Sequence, residues 1–525
     1  MRTEKRMMAN SRLRNEKKGG GAVILALSAV IVKLLGVLYK VPLTYLLGEV
    51  GMGYFNSAYT LYGFFYVFCS AGIAKAVTLL VTEKTDVRSV YRIALRLFLG
   101  IGTLITLLFI LFSPLLTILI GSKGSLFSII AIAPSLVFIA ISGVMRGYLG
   151  GRLRLLPIGI SQLIEAVSKL VFGIFFAYLG TRFGFEIKLV CAFSILGITL
   201  GSFFSALYLY LYSFSLISNE KRGQNISSKE TRNNLLRISM PISLTSSVVS
   251  LSSIIDLAVI MRTLSALGYT EADATLLYGN YSTLAVPMIN LVVAVLSPLS
   301  VASLTRMAEH YSKGESRLLS NELKKCTAIC AFLSVPCFFI FGLYSLEVLD
   351  ILFSSEASTR GAELLAYLSP SAFLLPMLTL FNTAHEAMRD LRTPMISLIS
   401  GSVVKIVITY VLLMRGYGIA GAPIATVVSY FISILISLIP LIKRGAVPSI
   451  LDTLVLPMLS ASLSYVTLYR LATSRGEGIV SIGRLVSLVA LSSVFYAFIY
   501  LLLKLFIQKC THFLTKSTKI KYGKN

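Results

Sequence analysis

Tryptophan is absent from this 525-residue chain, histidine occurs three times and cysteine six. Without tryptophan, any anchoring at a membrane surface falls to tyrosine and phenylalanine. Cys69, Cys191 and Cys510 are scattered and suggest no disulfide framework. Cys326, Cys330 and Cys337 cluster at the ninth apolar run with no histidine nearby, and read as small core residues rather than metal ligands. A P-loop, a GxSxG elbow and an HExxH helix are all missing. No segment outside the apolar runs exceeds about two dozen residues, so a catalytic domain of soluble type has nowhere to sit. Neither an enzyme nor a cofactor is expected, and no metal site.

What remains is apolar and basic. The chain is 56% hydrophobic with a mean hydropathy of +0.83, so its apolar surface must face lipid. Fourteen apolar runs lie at 22–47, 54–81, 95–120, 126–145, 155–179, 188–215, 238–261, 275–305, 326–352, 363–385, 394–414, 419–442, 450–470 and 484–507. Each can cross about 30 Å of hydrocarbon as a helix. The count falls to thirteen or twelve if two neighbours form a re-entrant pair. The first 21 residues are polar and basic and the run behind them is too long for a signal-peptide core, so no cleavable signal is expected.

A net charge of +25 in a soluble protein would point to nucleic acid, but here the basic residues fall in short loops and tails. With the N-terminus inside, 34 of the 48 lysines and arginines lie in cytoplasmic segments, about nine outside, and five lysines within spans. That bias predicts a multi-pass plasma-membrane protein with both termini cytoplasmic. The basic, polar stretch at 216–237 follows the sixth run and divides the chain. The division is then a tail at 1–21, a first half at 22–215, the linker, a second half at 238–442, two further helices at 443–507, and a tail at 508–525. The halves are alike: 53–84 resembles 277–311, and 152–172 resembles 390–410, each of the latter two with a basic entry, a proline and a central lysine. Similar pairs in like-oriented helices indicate a parallel repeat, which commonly encloses a substrate path.

The charges inside the spans carry the functional reading. Lys33 and Lys40 are seven residues apart, close to one face of a helix, and Lys33 is near the middle of its run. A lysine there costs about 2.5–3.5 kcal/mol and so faces protein or a hydrated cavity. Lys40, in the outer half, either snorkels or lines the path, and Lys75 stands about two turns from the inner end of the second span. Glu165 and Lys169 are four apart in the orientation that favours pairing, so they form either a structural pair or a gate. Lys405 occupies in the second half the place of Lys169 in the first, and is expected to line the cavity. Asp256, in the seventh span, is either the partner of Lys40 or an ion site. Asn280, with Pro287 and Asn290, marks a polar, bent eighth span. His385 and Glu386, at the end of the tenth, read as interfacial. Five lysines against two carboxylates leave a positive interior, unsuited to a cationic drug and suited to a pyrophosphate.

The segments KLLGVLYKVPLTYLLGEVGMGYF, SAGIAKAV, LYGNYSTLAVPMINL and GSVVKIVITYVLLMRGYGIAGAPIATVVSY resemble the stage V sporulation protein B group. That group belongs to the polysaccharide-transporter branch of the multidrug/oligosaccharidyl-lipid/polysaccharide flippase superfamily and is related to the lipid II flippases. The resemblance runs from about Gly20 to Leu503 and is most specific around Lys405 and Gly418–Thr426. It implies an all-α fold of two six-helix lobes around a central cavity, with two extra C-terminal helices. It also implies alternating-access transport of a polyprenyl-pyrophosphate-linked oligosaccharide, among membrane lipids and wall-synthesis proteins, for spore-cortex peptidoglycan. The lipid II flippases carry an arginine in the first span and an Arg–Asp pair six residues on; here Lys33 fits the first, while Tyr39–Lys40 replaces the pair. The basic residues of their second and eighth spans fall near Thr60 and Ser282, and the proline usual in the SAGIP motif is Ala74. Lys33 and Lys405 are expected to hold the pyrophosphate from opposite lobes. The rival readings are a cation-coupled multidrug exporter of the same fold, which needs an unpaired carboxylate such as Glu165, a membrane glycan polymerase, and a scaffold of wall synthesis.

Overall fold

The first helix, α1 (Arg2–Glu83), is too long to cross a membrane once. Its apolar part, Leu27–Thr82, has 56 residues, about 84 Å of helix against about 30 Å of hydrocarbon. The helix is broken at Gly48, where φ is 64° and ψ −179°, a conformation essentially reserved to glycine. Lys40 and Asn56, equidistant from Gly48, hydrogen-bond at 3.1 Å, whereas 16 residues of straight helix would set them about 24 Å apart. The chain therefore folds back on itself at that one residue. The turn predicted over Gly48–Gly53 contracts to Gly48, because Gly51 and Gly53 already belong to the returning helix.

The computed structural model describes residues 2–83, 86–218, 220, 227–353, 355–473 and 482–522, and among them there is no strand. The linker predicted at 216–237 and the tail at 508–525 lie partly outside the described residues. After α1 come α2 (Val87–Leu111), α3 (Ser113–Ile120), α4 (Leu126–Ile132), α5 (Ser135–Gly151), α6 (Leu155–Arg182) and α7 (Ile187–Ser218). Next follow α8 (Ser228–Ala266), α9 (Glu271–Asn280), α10 (Val286–Ser312), α11 (Ser316–Leu343), α12 (Ser345–Asp350), α13 (Ser355–Leu368) and α14 (Ser371–Ala387). The chain ends with α15 (Arg392–Leu412), α16 (Gly421–Lys443), α17 (Leu456–Ala461), α18 (Thr467–Thr473) and α19 (Ile482–Tyr522). A π-turn at Tyr281–Ala285 joins α9 to α10 just before Pro287, the place where a bend was predicted.

Among the described residues ten helices are long and apolar enough to cross a membrane, or up to twelve with two bent pairs. The bends are 41° between Lys123–Ile132 and Ser135–Gly151, and 47° between Glu356–Leu368 and Ser371–Ala387. The stretch Arg392–Lys443, at 52 residues, repeats the geometry of α1: it reverses at Gly416 and Gly418, both with positive φ. Ser397 and Ser433 exchange hydrogen bonds of 2.8 and 3.0 Å across that reversal. Against the fourteen runs predicted, the described residues thus give ten to twelve candidate spans, two of them reversed on themselves.

Two compact units emerge: Met1–Thr283 with Lys405–Ala422, and Leu284–Val404 with Pro423–Asn525. This division falls elsewhere than the predicted linker. In the first unit, the returning arm of α1 packs with α2 and α5 around Val77, Val90, Phe98, Val144 and Tyr148, all buried, with Tyr91 and Tyr148 edge to face at 5.4 Å. Helix α2 shows why these helices need lipid. It buries Val90, Ala94, Phe98 and Gly102 on one face yet exposes Leu104, Leu107 and Leu111 on the other. A helix apolar all round is covered by protein on one side and hydrocarbon on the other. In the second unit α19 packs on α11, with Tyr496 stacked on Phe332 and donating to its carbonyl at 3.0 Å.

Candidate functional site

Small residues bring the site together. On α7, Gly197, Gly201 and Ser205 recur every four residues against α6. A Cβ on Gly201 would stand 2.7 Å from the Glu165 carbonyl, so only glycine lets the two backbones approach this closely. That approach sets Ser205 beside a stripe of α6 formed by Ser161, Glu165 and Lys169, again at four-residue spacing. Opposite the stripe, both arms of α1 present Lys33, Tyr39, Tyr59, Tyr62 and Tyr66. These residues, with Gln162, Ile198 and Ser250, line a cavity of about 550 Å³ inside the first unit.

The charges of this cavity are not partnered as the spacing suggests. Glu165 does not pair with Lys169. Its Oε2 accepts from Arg146 Nη2 at 2.8 Å, and the same guanidinium donates to Ser205 Oγ at 3.0 Å and Ser161 Oγ at 3.1 Å. The planar arginine fork reaches three spaced acceptors from two nitrogens in a fixed geometry, which suits this cluster better than the compact ammonium one turn away. Lys169 turns instead to the tyrosines: its Nζ donates to the Tyr59 hydroxyl at 3.3 Å and lies 4.5 Å over the Tyr59 ring and 5.2 Å from the centre of Tyr39. Lys33 is exposed on the cavity wall, and no carboxylate among the described residues pairs with it. The cavity thus holds two ammonium groups, while its one carboxylate among the lining residues is neutralised from behind. Arg146 escaped the sequence reading because it falls one residue past the fourth apolar run and was counted with a basic loop. The i+4 serine, carboxylate and lysine of α6 were the available hint.

The remaining predicted residues lie elsewhere in the first unit. Lys40 does not meet Asp256. Its Nζ donates to Asn56 Oδ1 at 3.1 Å and to the Ser282 carbonyl at 3.0 Å, and the Asn56 amide donates to Thr283. Asp256 pairs with Lys405 at 2.7 Å and accepts from Thr409 Oγ1 at 3.5 Å. Lys405 therefore does not line the 550 Å³ cavity and does not belong to a unit opposite Lys33. The physical reason is its partner, a carboxylate on α8 that holds the ammonium at 2.7 Å. Asn280 is buried and donates to Glu49 Oε2 at 2.7 Å, beside the reversal of α1. Lys75 is exposed, away from the cavity. In the second unit His385 is fully buried in protein, held by the Ser437 carbonyl at 2.8 Å. Among the described residues no group of three histidine, cysteine, aspartate or glutamate side chains converges.

A model of the family described as "Polysaccharide biosynthesis protein" matches residues 19–304, more than half of the chain. The chain belongs to the polysaccharide biosynthesis protein family. A second model, MatE, matches residues 280–411 of this family member. It is 23% identical over 422 residues to stage V sporulation protein B of Bacillus subtilis (strain 168), covering 78% of this chain and 80% of that one. It is 22% identical over 457 residues to the lipid II flippase MurJ of the same organism, covering 81% and 82%. Among solved structures, MurJ in an inward closed conformation superposes with a TM-score of 0.70 at 16% identity, over 93% of this chain and 99% of that one. An inward-facing multidrug resistance MATE transporter of the MOP superfamily does so with 0.63 at 14% identity, over 81% and 98%. At such identities the structures establish the fold alone, an all-α one, and its apolar helices make the chain a multi-pass membrane protein.

Proposed function

We propose that this family member is a flippase that carries a polyprenyl-pyrophosphate-linked cell-wall oligosaccharide, of the lipid II kind, outward across the plasma membrane. The observation that carries the reading is the charge of the cavity: Lys33 and Lys169 line it, and Glu165 is taken by Arg146. Two ammonium groups on the wall of a cavity of about 550 Å³ suit a pyrophosphate, which lysine binds as a point charge. The cavity also answers the central difficulty of the reaction. Sugar hydroxyls crossing hydrocarbon unsatisfied would cost several kcal/mol each; a chamber whose wall carries Gln162, Ser250 and tyrosine side chains beside the lysines offers them polar partners while the polyprenyl tail remains in lipid. Alternating exposure of the chamber to the two sides completes the cycle, with both termini cytoplasmic. The relatives, a sporulation protein and a lipid II flippase, support a precursor of spore-cortex peptidoglycan as the cargo. Inside-negative potential favours outward movement of the anionic head group by up to about 2.3 kcal/mol per charge per 100 mV.

The MatE match keeps drug export as a second reading. A cation-coupled exporter needs a free carboxylate in the cavity, and Glu165 is held by Arg146 at 2.8 Å. The test is outward translocation of labelled lipid II in cells depleted of their native flippase, comparing the parent with Lys33→Gln and Lys169→Gln at equal membrane expression. Rescue by the parent and loss in both variants supports the reading. A parent that leaves lipid II on the inner face refutes lipid II as the cargo.

A further inference from the structure

We infer that Arg146 sets the sign of the cavity by holding Glu165 away from Lys169. This rests on the reading of the cavity as a site for an anionic head group. Glu165 precedes Lys169 by four residues on α6, the arrangement in which a carboxylate and an ammonium pair along a helix. Left to themselves they would cancel, and Lys33 alone would remain to meet an anion. The structure arranges otherwise. Arg146 reaches from α5 and takes the carboxylate at 2.8 Å, and its position is fixed by the hydroxyls of Ser161 and Ser205. The Arg146 side chain is only 11% exposed and is absent from the cavity lining, so it neutralises Glu165 from behind the wall. Lys169, relieved of its helical neighbour, rests on the faces of Tyr59 and Tyr39. A ring face attracts an ammonium without neutralising it, so the charge stays available. Arg146 is thus a positioning residue that touches no head group and acts through Glu165 on Lys169.

The absence of tryptophan makes this measurable without a ligand. Tyr59→Trp in the purified full-length protein places a single indole under the Lys169 ammonium. Adding Lys169→Gln gives the emission spectrum of the ring without its cation. Adding Arg146→Gln instead should move the spectrum to that of the Lys169→Gln control, because Glu165 now draws Lys169 away. Adding Arg146→Gln together with Glu165→Gln should return it to the Tyr59→Trp spectrum. If Arg146→Gln leaves the spectrum unchanged while Lys169→Gln shifts it, the inference is overturned. It is equally overturned if Lys169→Gln has no effect, since the ammonium is then not on the ring. Should Arg146→Gln not accumulate, Arg146→Lys, which keeps the charge but loses the fork, must shift the spectrum in the same direction.

Binding of geranyl pyrophosphate closes the argument. Arg146→Gln should weaken it about tenfold, the added Glu165→Gln should restore it, and in a Lys169→Gln background Arg146→Gln should make no further difference. A further loss in that background would show that Arg146 acts by net charge and not through Lys169. A parent that fails to bind the probe sinks the pyrophosphate reading, and the spectra still decide the role of Arg146.

Discussion

Lys405→Met should destabilise the protein far more than the worth of the ion pair it removes. Lys405 Nζ lies 2.7 Å from Asp256 Oδ2, with side-chain exposures of 17% and 6%. At an effective dielectric of about 20, that distance corresponds to a gross attraction of about 6 kcal/mol. Withdrawing each ion from water costs several kcal/mol, so the pair nearly breaks even. Removing the lysine alone keeps the cost of burying Asp256 and abolishes the compensation, a loss of about 3–5 kcal/mol. The single hydrogen bond from Thr409, at 3.5 Å, offsets little of this. Unfolding of the purified protein in mixed micelles of rising denaturing-detergent content measures the difference. Lys405→Met and Asp256→Leu should be compared singly and together. The double variant should recover to within about 1 kcal/mol of the parent, since an apolar pair replaces an ionic one at similar volume. A single variant as stable as the parent, or a double variant no better than the single, would refute the reasoning. The same double variant, assayed for transport, asks whether Lys405 serves the fold or the cargo. Retained transport assigns it to the fold.

Three further outcomes follow from particular contacts. Gly201→Ala should cost about 1–3 kcal/mol in the same unfolding assay, because its new Cβ would stand 2.7 Å from the Glu165 carbonyl and force α6 and α7 apart. Gly48→Ala should cost a similar 1–3 kcal/mol, since φ of 64° with ψ of −179° admits no Cβ without strain. Burial pushes the Asp390 carboxyl up, but the Thr393 amide and hydroxyl, Arg444 and His385 outweigh it and hold the group below its usual 3.8. A depressed carboxylate contributes stability that is present above the usual value and lost as pH falls through the lowered one. Thermal unfolding midpoints of the parent and Asp390→Asn should therefore differ at pH 6 and converge as the pH drops below about 3.8.

The helical fold was largely legible in the sequence, and the pairing of charges was not. Hydropathy depends on the composition of whole segments, so most of the runs survive as helices. The resemblance likewise rests on motifs long enough to be specific. Partner choice depends on which helix faces which, and no local pattern states that. Glu165 and Lys169 look like a pair because α6 alone brings them together, but Arg146 on a neighbouring helix offers a better-shaped partner. Asp256 was open to either Lys40 or an ion, and its true neighbour, Lys405, is 149 positions away on α15 (405 against 256). Lys40 reads as a binding cation until the reversal at Gly48 sets Asn56 against it. The reversal at Gly48 was legible, because the glycines at 48, 51 and 53 separate two apolar runs, but only the backbone shows that Gly48 alone makes the turn.

The reversal at Gly48 also bears on how the chain enters the membrane. The outgoing arm carries Lys40 and, near the middle of its run, Lys33, which costs about 2.5–3.5 kcal/mol at mid-bilayer if inserted alone. The groups that accommodate this arm come largely from the returning one: Asn56 for Lys40, and the tyrosine wall that encloses the cavity where Lys33 stands. With no loop between the arms, no reporter or epitope can be placed there without breaking a helix. Inserted as one hairpin, the two arms bring Asn56 to Lys40 as it enters the hydrocarbon, which a single span entering first would lack.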